Sequence, residues 1–203
     1  ETVIKERGSK VIYADTDSVF VLHEDNVSDL VQLLRRKTGL PIRIAHRYRR
    51  IVFVRGRNGF PVIKRYFGIT IDGELIIKGL MAVHRNTPKI IKKAQIEMMK
   101  ALLNNNESEI DKIFTDYRRK ILQGQLELED LAIEIRIGKN HEEYRANGII
   151  AKLARRYKLK RGSIIKIIYT PGGAILAKNY QGRYDIKKYL EILEKARKEI
   201  TIK

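Results

Sequence analysis

The sequence predicts an α+β fold: an antiparallel sheet with helices over residues 1–86, then a mostly helical part over 87–203. Three observations carry this expectation. Short apolar runs of strand length recur at 11–14, 19–21, 42–46, 50–55, 61–71 and 74–78. Asp72-Gly73 falls between two of them and is a strong hairpin-turn pair. From Thr87 the apolar spacing changes to three and four residues, the repeat of an amphipathic helix. With 203 residues and 43% apolar content, the chain can build one large domain or two small ones around a real core. No internal repeat or low-complexity linker interrupts it, so the boundary is drawn near residue 86.

Residues 1–7 read as the end of a helix closed by Gly8. Two apolar strands then flank the acidic turn Asp15-Thr16-Asp17-Ser18. Val11 and Tyr13 share a side with Asp15, while Ile12 and Ala14 take the other, because strand side chains alternate. Both faces are apolar up to the turn, which predicts a hairpin central in a sheet with its acids at one end. Ser28 is placed to cap a short helix carrying Leu30, Val31, Leu33 and Leu34, ending at Gly39-Leu40-Pro41. The remaining strands of the first part follow.

In the second part, Thr87 is the expected cap and Pro88 the first helical residue, where a missing N–H is harmless. Ile91, Ala94, Met98 and Leu102 then share a face. A second helix starts at Ser108, with Asp111 three residues on, and buries Ile110, Ile113, Phe114, Tyr117, Ile121 and Leu122 before Gly124. A third covers 141–157, with Tyr144, Ile150, Leu153, Ala154 and Tyr157 turned inward. A β segment at 163–169 and Gly172-Gly173 precede a last helix from Asp185, carrying Ile186, Tyr189, Leu190 and Leu193.

Charge narrows the range of partners. The chain has 42 Lys+Arg against 24 Asp+Glu, a net charge of +18. Such a surplus attracts polyanions. Nucleic acid is the natural candidate, because neutralising phosphates releases condensed counterions. An anionic membrane is the rival, but no apolar run approaches the roughly 18–20 residues of a spanning helix and no lipidation motif is present. Cysteine is absent, which excludes disulfides and thiolate metal sites. A cytoplasmic, nucleoid-associated setting is the simplest expectation. Abundant Ile, Lys, Glu and Arg without Cys or Trp hints at a thermophilic source.

The acidic turn is where chemistry is expected. Carboxylates at the end of a buried strand need a cation or an ion-pair partner. Hard divalent cations select oxygen ligands, and a pair of them about 3.5–4 Å apart can stabilise both oxygens of an in-line phosphoryl displacement. The bland alternative is a solvated turn in which Asp and Ser bond their own backbone. A bare Asp-x-Asp does not choose between these; the whole string Tyr13-Ala14-Asp15-Thr16-Asp17-Ser18 between two β runs favours the metal.

That string resembles the C motif of family B DNA polymerases. Further matches follow in order. Lys64-Arg65-Tyr66 resembles the segment of the palm's second hairpin that faces the primer strand. Lys78-Gly79-Leu80, with Val83 and Arg85, is similar to the junction of palm and thumb. Glu143-Tyr144-Arg145-Ala146 through Gly148, then Ala154, resembles the thumb segment on the duplex backbone, and Tyr184 to Leu193 its final helix. There are departures. Ile63 stands where a Lys is usual, Met81, His84 and Asn86 replace Glu, Arg and Asp, and Ile149-Ile150 replaces a common Pro-His pair.

The resemblance implies an antiparallel palm sheet with helices over 1–86, the lower palm, and a thumb over 87–203. It implies a DNA-directed DNA polymerase that uses Mg²⁺ at a two-metal site. Asp15 would bridge the ions and Asp17 support them. Lys64, Arg65, Tyr66, Arg85, Tyr144, Arg145, Lys152, Arg155 and Arg156 would bind DNA. Further grip is expected from Arg47, Arg49, Arg50, Lys158, Lys160 and Arg161, while His23, His46, His84 and His141 receive no catalytic role. The family's A motif, with its second Asp, and its nucleotide-binding B motif are not found in these 203 residues. The expected partners are therefore a larger polymerase subunit carrying exonuclease, fingers and the rest of the palm, primer-template DNA and deoxynucleoside triphosphates. A sliding clamp is an optional further partner, although no clamp box closes the tail. The small subunit of a split enzyme of archaeal type is favoured over a fragment of a longer chain. Two alternatives of other classes stand beside this: a non-catalytic DNA-binding accessory subunit, and a divalent-metal sugar-nucleotide transferase.

Overall fold

The computed structural model describes residue 4 and residues 9–22, 27–56, 59–124 and 126–201. The fold is α+β, with antiparallel sheets and helices. It divides into two compact units: Glu1–Arg50 with Ile69–Leu75, and Ile51–Gly68 with Ile76–Lys203. The helix expected over 1–7 and its stop at Gly8 lie, Ile4 apart, outside the described residues.

In the first unit, β1 (Lys10–Ala14) pairs antiparallel with β2 (Val19–Leu22). Tyr13 lies opposite Phe20 and Ala14 opposite Val19, with a register irregularity between Val11 and Tyr13. Tyr13 is buried and meets Phe20 edge-on at 5.5 Å, and Phe20 in turn lies 6.1 Å from Tyr48. Such aromatic pairs fasten one face of the hairpin. Among the described residues the hairpin is not central in a larger sheet: its sheet has two strands, and Ile12, Val19 and Leu22 are exposed. An apolar pattern on both faces does not say what covers them.

Helix α1 (Val27–Thr38) buries Leu30 and begins one residue before the expected cap Ser28. Asp29 in its first turn and Arg35, Arg36 and Lys37 in its last complement the helix dipole. It stops at Gly39, which adopts a positive φ and whose N–H donates to Arg35 O. The strand expected at 42–46 does not form. That stretch is irregular, and Arg35 Nε donates to the Ile42 carbonyl at 2.6 Å.

Strands β3 (Tyr48–Arg55), β4 (Pro61–Thr70) and β5 (Leu75–Lys78) form a three-stranded sheet in that order, with residues in both units. Their short connections admit only antiparallel pairing. Asp72-Gly73 makes the expected turn: Gly73 N donates to Thr70 O and Thr70 N to Glu74 O.

The second unit continues with a 3-10 turn at Met81–Val83, α2 (Lys89–Leu103) and α3 (Glu107–Leu122). Pro88 itself occupies the cap of α2, one position earlier in the helix frame than expected. Helix α2 buries Ile90, Ile91, Ala94, Gln95, Met98 and Met99, so its inner face is wider than a single stripe. In α3, Ile110, Tyr117 and Ile121 are buried, whereas Leu122 is exposed.

After α4 (Leu128–Leu131), β6 (Ile133–Arg136), β7 (Ile164–Thr170) and β8 (Gly173–Leu176) form a second antiparallel three-stranded sheet. Helix α5 (Ile149–Tyr157) packs on it, and Ile133, Leu153, Ile167 and Leu176 make one apolar cluster. The helix expected over 141–157 is shorter because 144–148 runs as open loop after the 3-10 turn His141–Glu143. The last helix, α6 (Ile186–Ile200), starts where expected: Asp185 accepts from Lys188 N at 2.9 Å. Its Tyr189 is fully buried, donates to Leu131 O at 2.9 Å and accepts from Tyr169 N.

Candidate functional site

The acidic turn is built by its own backbone. Asp15 N donates to Ser18 O at 2.8 Å, closing the loop between β1 and β2. One carboxylate oxygen of Asp15 accepts from Thr16 N at 2.7 Å and from the Thr16 hydroxyl at 3.2 Å. Thr16 therefore orients Asp15, the turn-holding task that its residue type suggests. Asp15 is half-buried and Asp17 exposed. Both carboxylates stand at the turn end of the hairpin. Among the described residues no group of three or more His, Cys, Asp or Glu could hold a metal ion. The donor chemistry suits Mg²⁺, which is commonly held by one or two carboxylates together with substrate phosphates.

The cationic segment on β4 has an unusual backbone. Lys64 has φ of +61°, a left-handed conformation that non-glycine residues seldom adopt. Gly79, just after β5, approaches this segment closely. A Cβ placed on Gly79 would lie 2.2 Å from the Lys64 carbonyl oxygen and 3.1 Å from Arg65 Cγ. Tyr66 lies 5.9 Å from the Phe53 ring, which anchors the segment on its sheet. Arg65 reaches back into the fold, where its guanidinium is 3.6 Å from Glu199 on α6. Arg85, after the 3-10 turn, is exposed.

The loop before α5 is held at both ends. Asn140 and Glu143 form a reciprocal cap, and Asn140 also accepts from Arg161 N at 2.9 Å. Arg155 donates to the Tyr144 and Ala146 carbonyls and to Asn147 Oδ1. Its guanidinium thus holds the loop from within, which the sequence did not reveal. Lys139, Glu143, Tyr144, Arg145 and Ala146 line a shallow cavity of about 490 Å³. Arg145, Lys152, Arg156, Lys158 and Lys160 are exposed cations, and Tyr144 is half-buried.

Sequence reasoning missed two polar residues altogether. Gln95 is fully buried and Glu199 nearly so. Gln95 Oε1 accepts from Ala82 N at 2.6 Å, and its amide donates to Ala196 O and Glu199, both at 2.9 Å. Glu199 also accepts from Met81 N at 2.8 Å. The signal was present but quiet: each residue neighbours an apolar stripe, Ala94 and Met98 on α2 and Ala196 and Ile200 on α6.

The α+β fold thus carries a hairpin turn with two carboxylates and, elsewhere, exposed cationic side chains. Comparison with known proteins places the chain more closely. Residues 2–170 match the model of DNA polymerase family B, and the chain belongs to that family. It is 34% identical over 150 residues to DNA polymerase 1 of Sulfolobus acidocaldarius, covering 68% of this chain and 16% of that protein. With DNA polymerase 1 of Aeropyrum pernix the identity is 30% over 186 residues, 82% of this chain and 18% of the relative. The family B DNA polymerase of Pyrobaculum calidifontis has the same fold across 99% of this chain and 28% of its own, with a TM-score of 0.70 at 24% identity. The chain spans about a fifth of the length of the relatives it matches.

Proposed function

We propose that this chain is the carboxy-terminal palm and thumb portion of a DNA-directed DNA polymerase, with residues 1–86 as lower palm and 87–203 as thumb. The observation that carries the reading is the Asp15-Thr16-Asp17 turn, closed by its own backbone between the two strands of a hairpin, in a chain of this family. Asp15 and Asp17 would hold Mg²⁺ together with a carboxylate from outside these residues. Ions bound there supply stabilisation to the attacking and leaving oxygens of an in-line displacement. Asp15 is the stronger ligand because Thr16 fixes its carboxylate in advance.

Lys64, Arg65 and Tyr66 hold the primer strand, and Arg85, Tyr144, Arg145, Lys152 and Arg156 grip the duplex backbone. Arg155 contributes through the loop it holds. Phosphate contacts of this kind position a duplex without reading its sequence. The A and B motifs come from a larger polypeptide, a separate subunit in the split-enzyme reading, and primer-template and deoxynucleoside triphosphates are the substrates. The test is primer extension by purified chain, alone and mixed with a polypeptide carrying those motifs. Extension is expected only from the mixture. Robust synthesis by the chain alone, or none from the mixture, overturns the reading.

A further inference from the structure

The primer-facing cation Arg65 is not a freely solvated side chain. Its guanidinium lies 3.6 Å from Glu199 Oε1, on a carboxylate only 8% exposed. The other oxygen of that carboxylate is already engaged by Met81 N and the Gln95 amide. Glu199 is therefore clamped on one side and aimed at Arg65 on the other. Next to Arg65 sits Lys64, whose left-handed backbone persists only because surrounding groups hold it. Gly79 presses on the Lys64 carbonyl from one side, and the Arg65–Glu199 pair secures the adjoining residue.

We propose that Glu199 is a positioning residue that fixes Arg65, and with it the kinked Lys64-Arg65-Tyr66 segment, for contact with the primer strand. It touches no substrate itself. A carboxylate buried among donors keeps one geometry, so the cation it faces is presented pre-oriented instead of searching among rotamers. The proposal rests on the primer-binding reading of that segment.

A mutant cycle in the reconstituted polymerase tests it. In Glu199→Gln the amide oxygen can keep the bonds to Met81 N and Gln95, while the NH₂ turned to Arg65 no longer attracts it. Primer-template dissociation constant, single-turnover rate at saturating DNA and melting midpoint are measured for wild type, Glu199→Gln, Arg65→Ala and the double variant. Glu199→Gln is expected to weaken primer-template binding about 3- to 10-fold, with the saturated rate and melting midpoint nearly unchanged. In the Arg65→Ala background the same change is expected to have no further effect. Should Glu199→Gln fail to fold, Glu199→Asp keeps the buried charge and withdraws it from Arg65 by one methylene; the same pattern is expected. Wild-type affinity in a folded Glu199 variant, or an equal loss with and without Arg65, overturns the positioning role. If Arg65→Ala itself binds primer-template like wild type, the primer-binding reading falls and this proposal with it.

Discussion

Asp15 and Asp17 share one turn but occupy different surroundings. Asp15 is half-buried, with two donors from Thr16 on one oxygen, while Asp17 projects into solvent. If Asp15 bridges two ions, the neutral amide of Asp15→Asn cannot be shared between them. In the reconstituted enzyme its single-turnover incorporation rate should fall by about three orders of magnitude or more, a loss of roughly 4 kcal/mol of transition-state stabilisation. Asp17→Asn should lower it by only about 10- to 100-fold, as for a group that supports a ligand. Primer-template affinity should hold in both if, as proposed, the phosphate grip lies in the cations. Near-wild-type rates for both variants would leave the acidic hairpin a mere turn and favour the accessory-subunit reading.

At the level of elements, the tightest requirement is the approach of β5 to β4. Gly79→Ala forces a left-handed φ of +65° on alanine and sets a Cβ 2.2 Å from a backbone oxygen. The left-handed penalty alone is about 1–2 kcal/mol, and the clash with main chain adds to it. Denaturant unfolding of the chain should show a loss of more than about 2 kcal/mol, against near-neutral Gly138→Ala, whose Cβ meets nothing within 4 Å. Elements with strong local signals were legible in advance: α6 through Asp185, the β4–β5 hairpin through Asp72-Gly73, and α2 through its apolar spacing. Strands β6 and β8 were not, because four residues carry too little periodicity to stand out. The acidic turn was readable as a string, but the Gln95–Glu199 bonds join residues 104 apart, and no local pattern encodes such a meeting. Arg155 is expected from the sequence to bind DNA, since a sequence does not show that three acceptors converge on it.

Across the molecule, the core of the second unit leans on tyrosines. Burial pushes the Tyr117, Tyr184 and Tyr189 hydroxyls above their ordinary value of 10.0, and for Tyr117 the hydrogen bond to Glu97 adds to the effect. The folded chain thus keeps these phenols neutral where the unfolded chain would ionise them. Stability from this source is complete below the unfolded value and lost as pH rises beyond it. Chemical denaturation between pH about 8 and 12 should show a plateau to about pH 10 and a steady decline above it. Tyr189→Phe should shallow that decline while lowering the plateau by about 1–3 kcal/mol, because Leu131 O and Tyr169 N lose their partner. A decline as steep in the variant as in the wild type would mean that Tyr189 does not contribute to it.

The bond from Met81 N to Glu199 also has a meaning in time. Its partners are 118 residues apart, so during synthesis the buried donors of Met81 and Gln95 exist long before their acceptor. At about 5–20 residues per second, the interval between making residue 95 and residue 199 is roughly 5 to 20 s. Throughout it the region around the 3-10 turn lacks the carboxylate that completes it, although Gly79, Lys64 and Arg65 have already been made. The Lys64-Arg65-Tyr66 segment is thus synthesised early and set late, when α6 arrives with Glu199.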